Sequence, residues 1–473
     1  MTPAPPRPRL FTLAWPLFVE FLLGIGVGVV GIALAARMSD AAGAGFALSN
    51  QIAATLFIVF RIIGAGIGVV ITQNLGGGQH EGAERVARAA LGASTWIGGA
   101  TALLAFFGAA TMLHMMSAPA EVMPLAVPFL TTLAPALLLD AWNAAMAGVM
   151  RAHLRTRDTL AVIIAMHASH LALAIPLMVG AGPLPALGLP GFALALGASR
   201  VLGVVLHLWL WRLRLGLVPH WRDWWHAPRR ELAAMLHIGL PGAAENIAYR
   251  LAFMVSVAVA AQLGAQALAT QAYASQLMYG VLLFGLATGL GVEILVGHLI
   301  GAGQWHEAHK LVRRAMARGL MVSVVVATVV ALTSPWLLRL FTQDPQIIAA
   351  GQMLLWMTIV LEPGRTFNLV VINALRAAGD ARYPVAVGSV SMLIVLAGGS
   401  WLLGIHFGWG LPGLWVAYAA DEWIRGLLMW RRWATLGWLP HARAVRRRLR
   451  AAQLADAAGA PSTGGDSAIA GKR

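Results

Sequence analysis

The sequence predicts an all-α polytopic membrane protein with twelve transmembrane helices, arranged as two six-helix lobes related by pseudo-two-fold symmetry along the membrane normal. The first observation is composition: 59 % of the residues are hydrophobic and only 11 % are charged, whereas about 25 % are charged in soluble domains. The second is an internal repeat, in which Pro16 and Glu20 recur as Pro241 and Glu245, 225 residues later. The composition places the chain in a lipid environment, and the repeat indicates that it consists of two related halves.

The repeat continues without a gap through most of the first half. Gln51 matches Gln276, and the segment LGGGQHEGA from Leu75 matches IGAGQWHEA from Ile300 at the same spacing. Only near the end does the spacing change, since GLPG at 188–191 recurs at 410–413, a shift of 222. A period this long is a duplicated half-protein and not a solenoid repeat of 20 to 50 residues. In a hydrophobic chain such a duplication is typical of transporters.

Runs of about 20 apolar residues define the predicted transmembrane segments. There are six such runs in each half, and an even number per half gives equivalent helices the same direction across the membrane. The predicted segments are 10–37, 44–75, 89–116, 122–149, 159–182, 190–211, 232–263, 270–300, 315–341, 347–375, 384–407 and 411–430.

Most of the 34 Lys and Arg residues lie on one side of the predicted membrane. They occur in the N-terminal segment, the even-numbered loops and the C-terminal segment, whereas the opposite loops carry only Arg37 and Arg339. By the positive-inside rule, we expect an inner-membrane protein with both termini in the cytoplasm. The net charge of +15 follows from this bias, so no nucleic-acid partner is expected.

These patterns divide the chain into five parts. The basic segments flank or join the two apolar halves, and the end of the chain becomes rich in Ala, Gly and Ser, which is typical of disorder. The predicted parts are a cytoplasmic N-terminal segment 1–9, an N-lobe 10–216, a cytoplasmic linker 217–231, a C-lobe 232–437 and a tail 438–473 that is basic and then disordered.

Charged residues inside the predicted helices are candidate functional groups, because a charge in lipid is expensive and tends to face the bundle interior or a water-filled cavity. Glu20 and Glu245 each follow a proline by four residues, where the missing amide hydrogen bond favours a kink at Pro16 and at Pro241. A carboxyl beside a kink can change partners as the helix bends. The candidate ion-coupling residues are Glu20, Asp140, Glu245, Glu293 and Glu362, with Arg61, Arg250 and Arg365 as charge partners.

A purely structural role is the alternative at each of these positions. Glu362 and Arg365 are three residues apart, so they can neutralise each other along one helix face, and Asp421 with Arg425 can do the same. Glu293 is expected near the cytoplasmic end of its helix, where a hydrated structural carboxylate is an ordinary feature. We expect Arg61 to balance Glu20 or Asp140.

Several motifs resemble those of the multidrug and toxic compound extrusion (MATE) family. They are AWPLFVE from Ala14, IGLPGAAE from Ile238, VGHLIGAGQWHEA from Val296 and ALRAAGDARYP from Ala374. The resemblance covers about residues 10–433 and implies a twelve-helix, two-lobed antiporter that expels organic, often cationic compounds in exchange for protons or sodium.

Two positions depart from the family pattern. Gly31 stands where many relatives carry an Asp in the first helix, and Arg365 stands where relatives with a second-lobe cation site carry an Asp. A fixed guanidinium repels sodium. The sequence therefore favours proton coupling, with Glu245 as the exchanging group and Glu362 as its expected neighbour.

The partners expected from this interpretation are a small organic cation or amphiphile, protons or sodium, and the lipid bilayer. We expect a monomer. No cofactor, metal or enzyme activity is expected, because no Zn-binding motif and no catalytic constellation is visible in the sequence. The alternative is a flippase or exporter of a lipid-linked or other endogenous metabolite. That alternative predicts a more basic interior, whereas acids outnumber bases among the predicted intramembrane charges.

Overall fold

The structure is a computed structural model that describes residues 9–180 and 185–457. Within this range, the side chains at 58, 59, 61–63, 65 and 455–457 lie outside the description. Twelve long helices form the body, six from each half of the sequence. They are α1 (Leu10–Met38), α2 (Asp40–Gly76), α3 (His80–Met115), α4 (Met123–Ala152), α5 (Thr156–Val179), α6 (Leu189–Leu210), α7 (Arg229–Gln262), α8 (Ala265–Ala302), α9 (Trp305–Leu338), α10 (Pro345–Ala377), α11 (Arg382–His406) and α12 (Leu411–Ala434).

Ten helices in the described part of the chain are long and apolar enough to cross a membrane. Helix α12 is also long but carries Asp421, Glu422 and Arg425, all of them buried. Helices suit a lipid environment because each satisfies its own backbone hydrogen bonds. The predicted fold class, an all-α protein of twelve membrane helices in two lobes, is confirmed.

The tail differs from the expectation. A further helix, α13 (Leu439–Ala457), continues past Arg450, where disorder was predicted. It is preceded by the fully buried Trp438, which stacks on Trp433 with ring centroids 4.3 Å apart. Residues 458–473, the rest of the predicted disordered tail, lie outside the described residues.

The two lobes meet at the side of the molecule that carries the start of α1, the tail helix α13 and most of the described arginines, called here the basic side. A Cβ atom at Gly76 of α2 would lie 2.0 Å from the carbonyl oxygen of His298, and one at Gly301 of α8 would lie 2.0 Å from that of Gln73. Because the four residues are related by the 225-residue repeat, the contact is symmetric. Glycine permits this close approach of two helices, as small residues commonly do in membranes.

Two symmetric hydrogen bonds reinforce this contact. The side chain of Gln73 donates Nε2–H to the carbonyl oxygen of Ala377 at 2.9 Å, and Nε2 of His298 lies 2.9 Å from the carbonyl oxygen of Ala152. Each bond joins α2 or α8 to the end of a helix in the other lobe. The basic side is therefore closed by a pair of repeated interlobe interactions.

At their opposite ends, α2 and α8 expose matching faces. Gln51 and Ala54 of α2 are exposed, and so are their repeat equivalents Gln276 and Tyr279 of α8. The same helices that pack together at the basic side thus have exposed faces at the other side. Closure between the lobes at one side is a feature expected of one state in an alternating-access cycle.

We expect Gly301→Val to open the basic side, because no space exists for a side chain against the backbone of Gln73. The chain contains no cysteine, so spin labels can be attached to cysteines introduced at the exposed positions Glu81 and His306. Double electron–electron resonance between these labels reports the interlobe distance. The labelled variant should populate longer distances than the parent. Gly280→Val, in open space on the same helix, is the matched control, and an unchanged distance distribution for Gly301→Val would contradict this description of the closure.

Candidate ion-coupling site

Each lobe contains the same ion pair at the same place in the repeat. Arg151 of α4 donates Nη2–H to Oε1 of Glu20 in α1 at 2.7 Å, and Arg376 of α10 donates Nη2–H to Oε2 of Glu245 in α7 at 2.5 Å. Both carboxylates are largely buried, with side chains 12 % and 10 % exposed. The repeat therefore extends from the sequence to a specific buried interaction.

Both pairs lie one turn beyond a proline. Pro16 lies within α1 and Pro241 lies within α7, and both helices continue through the proline. A proline removes one backbone hydrogen bond from the helix. The carboxylates that anchor α1 and α7 to α4 and α10 thus adjoin the points at which these helices bend most easily.

A second ion pair also repeats, but with its charges reversed. In the N-lobe, Arg200 of α6 donates Nε–H to Oδ1 of Asp140 in α4 at 2.5 Å. In the C-lobe, Arg365 of α10 donates Nε–H to Oε1 of Glu422 in α12 at 3.1 Å. Arg365 stands at the repeat position of Asp140, and Glu422 stands at that of Arg200 once the later shift of 222 is applied. The fourth and sixth helices of each lobe are therefore joined by a salt bridge of opposite polarity.

The C-lobe adds three charges to this pair. Arg365 donates Nη1–H to Oε1 of the fully buried Glu362 at 2.6 Å. Arg425 lies 2.7 Å from Oδ2 of Asp421 and 3.0 Å from Oε2 of Glu422, measured from Nη2. The pairs along one helix face that the spacing predicted are present, but they are joined through Glu422 into one network. We call Glu362, Arg365, Asp421, Glu422 and Arg425 the C-lobe cluster.

Neutral groups complete the hydrogen bonding of the cluster. Asn368 donates Nδ2–H to Oε2 of Glu422 at 3.0 Å, and Ser391 donates its hydroxyl to Oδ1 of Asp421 at 2.7 Å. In contrast, Oε2 of Glu362 is buried without a hydrogen-bond partner. A buried carboxylate oxygen without a partner is energetically costly.

The cluster approaches the Glu245 pair at Gly388 of α11. A Cβ atom at Gly388 would lie 3.8 Å from Cδ of Glu245 and 3.9 Å from Cδ of Arg425, so glycine lets these two side chains flank one position. Beyond Glu245, the positive charge of the Arg376 guanidinium also interacts electrostatically with the buried carboxyl of Glu293 in α8. The C-lobe therefore contains a chain of charged groups that runs from α8 through α7 and α10 to α12.

Charges within this chain do not balance. The described part of the C-lobe brings together five carboxylates and three guanidiniums: Glu245, Glu293, Glu362, Asp421 and Glu422 with Arg365, Arg376 and Arg425. In the described side chains of the N-lobe, Glu20 and Asp140 each have one arginine partner. The two lobes are thus electrostatically different although their folds repeat.

The structure places the predicted residues as follows. Glu245 contacts Arg376, whereas the sequence predicted Glu362 as its neighbour. Arg425, Glu422 and Arg365 lie between the two carboxyls. Arg250 is exposed on α7. The side chain of Arg61 lies outside the description, and its expected role as a partner stays a prediction.

Sequence reasoning missed Arg151 and Arg376 as ion-pair partners. They stand in the last turns of α4 and α10, so they were counted among the basic loop residues that orient the chain. The signal that could have found them was the repeat itself, because the two arginines are separated by the same 225 residues as Glu20 and Glu245.

Comparison with known proteins supports the repeated architecture. The family model MatE matches residues 16–175 and 241–401, so it recognises each half separately. The chain is 35 % identical to the uncharacterized transporter YisQ of Bacillus subtilis, over 92 % of this chain and 96 % of that protein. It is 23 % identical to the probable multidrug resistance protein NorM of Thermotoga maritima, over 94 % and 96 %.

Solved structures show the same fold. The crystal structure of the Vibrio cholerae MATE transporter VcmN in the bent form superposes with a TM-score of 0.83 at 20 % identity, covering 92 % of this chain and 97 % of that one. The fold, the family-model matches in both halves and the extent of similarity to YisQ agree. The chain therefore belongs to the MATE family and is a multi-pass membrane transporter.

Proposed function

We propose that this transporter is a proton-coupled antiporter that exports organic, often cationic compounds by alternating access between its lobes. Its relatives include proteins named as multidrug resistance proteins. With the basic side in the cytoplasm, as the positive-inside rule expects, the exposed faces of α2 and α8 lie on the outer side. The state described here is then the one that releases substrate and receives a proton.

The observation that carries the proposal is the excess of carboxylates in the C-lobe chain. Burying an unpaired charge is strongly unfavourable, and a carboxyl in that position tends to neutralise itself instead. With five acids and three arginines, the charged groups of the C-lobe include carboxylates that no arginine neutralises. Such a carboxylate can hold a proton. A buried site that holds and releases a proton is what an antiporter requires.

The donor set favours a proton over sodium. A metal cation in a protein site is held by several oxygen ligands at once, whereas the oxygens around Arg365 and Arg425 already accept hydrogen bonds from guanidiniums. A proton needs only one oxygen. The unpartnered Oε2 of Glu362 supplies one, and we assign the buried proton to this residue.

Glu245 is the point of exchange in this account. Its side chain retains 10 % exposure and adjoins the cluster through Gly388, so it can pass charge changes inward. Protonation of Glu362 by way of Glu245 would weaken the attraction for a bound organic cation on the outer side, and deprotonation towards the cytoplasm would restore it. A ligand shifts the balance between the two states only by its differential affinity for them, and competition with a proton provides that difference.

The N-lobe acids take a structural role in this proposal. Glu20 and Asp140 each match one arginine, so their charge is balanced without a further ion. The Pro16 and Pro241 turns are then the bending points, while coupling is confined to the C-lobe.

Gradient-driven transport tests this function. Purified protein in proteoliposomes is assayed for movement of a fluorescent organic cation such as ethidium, driven in turn by a proton gradient and by a sodium gradient. Transport with the proton gradient and not with sodium is the expected result. Transport with sodium alone would overturn proton coupling, and transport with neither would favour the flippase alternative, which a labelled lipid-linked substrate in the same vesicles would then test.

A further inference from the structure

A groove between α7 and α11 near the basic side is not used by the mechanism above. Its cavity volume is about 520 Å³, and all its lining residues come from these two helices. The walls are apolar and include Leu236, Leu240 and Val385, while His237 and Arg382 supply the polar groups. Leu240 is 59 % exposed, so the groove opens to the surface of the lobe.

The equivalent residues of the N-lobe contact each other. By the 225-residue repeat, Trp15 corresponds to Leu240 and Arg157 corresponds to Arg382. There the guanidinium of Arg157 lies over the indole of Trp15, 5.7 Å from the ring centroid. The two lobes therefore differ at this position, because the groove has a leucine where a tryptophan covers the arginine in the other lobe.

Several basic side chains converge at one end of the groove. Arg382 lines the groove together with His237. The charges of Arg448 and His441 also act electrostatically on the ring of His237. Desolvation, and then the nearby guanidinium of Arg230, lower the pKa of Arg448, as expected where like charges are held close together. This basic group thus includes residues of α7, α11 and the tail helix α13.

The acidic residues nearby do not balance this group. Asp380 lies 4.0 Å from Nδ1 of His441, but it is already bound to Arg432 through a hydrogen bond of 2.9 Å. Glu231 stands in the first turn of α7 beside Arg230. Three arginines and two histidines therefore face two carboxylates, one of which is already used.

The depth of the groove matches a membrane interface. His237 follows the start of α7 at Arg229 by eight residues, or about 12 Å along the helix. The exposed apolar wall continues from there towards the middle of the membrane through Leu240 and Ala244. A site with a basic end at this depth and an apolar length beyond it complements a molecule with an anionic head and a hydrocarbon chain.

We propose that the groove binds one anionic phospholipid from the leaflet on the basic side. Arg382 and Arg448 hold its phosphate, and one acyl chain lies along Leu236, Leu240 and Val385. Basic pockets between transmembrane helices are known to bind anionic headgroups, and the apolar wall selects a lipid over a soluble phosphate. Because Pro241 also lines the groove, the lipid contacts α7 one turn before Glu245.

Lipid retention tests the site independently of transport. The full-length protein is reconstituted with phosphatidylglycerol or phosphatidylcholine, extracted in mild detergent and analysed by native mass spectrometry. The parent protein should retain one phosphatidylglycerol and little phosphatidylcholine. Leu240→Trp, which copies the tryptophan that covers the arginine in the N-lobe, should lower phosphatidylglycerol retention at least tenfold, the size of a 1.4 kcal/mol change in binding. Arg382→Gln should lower it similarly if Leu240→Trp does not fold.

The matched control is Arg157→Gln, the repeat equivalent of Arg382, which should retain the lipid. Unchanged retention in both groove variants, or equal retention of phosphatidylcholine, would overturn the proposal. Displacement of the lipid by glycerol phosphate as readily as by added phosphatidylglycerol would show a site for the phosphate group alone, and would overturn the assignment to a lipid.

Discussion

Glu362→Gln is expected to lower the rate of proton-driven export of an organic cation by roughly tenfold or more, within the usual range of about 5- to 150-fold for coupling between two ligands. Glutamine has the same shape and its side-chain oxygen can still accept the hydrogen bond from Arg365, but an amide cannot take up a proton. Glu362 is fully buried and one of its oxygens has no partner, so the change removes a proton site without exposing new surface. Export is measured in proteoliposomes with a fixed proton gradient.

A second assay measures equilibrium exchange of labelled substrate across the membrane with no proton gradient. It distinguishes loss of proton coupling from loss of correctly folded protein. We expect this exchange to survive in Glu362→Gln. The control is Glu307→Gln, an exposed acid in the first turn of α9, which should export at the parental rate. Parental export by Glu362→Gln would show that the buried proton is not on this residue.

Arg365→Gln is expected to destabilise the folded protein by about 3–5 kcal/mol, because removal of one partner leaves buried charges uncompensated. Arg365 is 5 % exposed and bonds both Glu362 and Glu422. Reversible unfolding in mixed micelles measures the difference from the parent. The double variant Arg365→Gln/Glu362→Gln should recover part of the loss, since Glu362 is the carboxylate left without a guanidinium, whereas Glu422 keeps Arg425.

The N-lobe offers a comparison for this effect. Arg200→Gln breaks the reversed pair with Asp140, whose side chains are 13 % and 18 % exposed, and the carboxylate that it strands is less buried than Glu362, which is fully buried. We therefore expect a smaller loss of stability in the N-lobe variant. A larger loss there, or a stable Arg365→Gln protein, would contradict the view that Arg365 is the central counter-charge of the C-lobe cluster.

The sequence predicted the fold class because lipid imposes simple rules on a chain. Long apolar runs must become helices, and the Pro16/Glu20 and Pro241/Glu245 repeat shows that six of them were duplicated. Tertiary packing had no such signal in the sequence. Trp438 stacks on Trp433 and leads into α13, although the Ala-rich composition of this segment predicted disorder beyond Arg450.

Prediction of the site was partial for a related reason. The acids were found because charges are rare in apolar helices, but their partners depend on which helices touch. Arg376 looked like one of many basic residues at the membrane surface, yet it reaches Glu245 in α7. Arg365 is the repeat equivalent of Asp140, and its salt bridge to Glu422 emerges as the counterpart of the Asp140 pair only when the change of spacing from 225 to 222 is followed into α12.

The contacts of tail helix α13 could not be predicted from the sequence either. Its Arg446 donates Nη1–H to the carbonyl oxygen of Gly301 at 2.6 Å, and Gln453 donates Nε2–H to that of Gly77 at 2.8 Å. One helix therefore bonds to both lobes across the closed basic side. A basic composition predicts a cytoplasmic segment, but it does not indicate which backbone groups the segment will meet.

Proton release on substrate binding tests the central claim most directly. The purified protein in weakly buffered detergent solution near pH 7 is mixed with ethidium, and the protons released per ethidium bound are counted with a pH indicator. Competition between cation and proton in the C-lobe predicts release by the parent protein and none by Glu362→Gln. Binding of ethidium without any proton release by the parent, or equal release by Glu362→Gln, would contradict it.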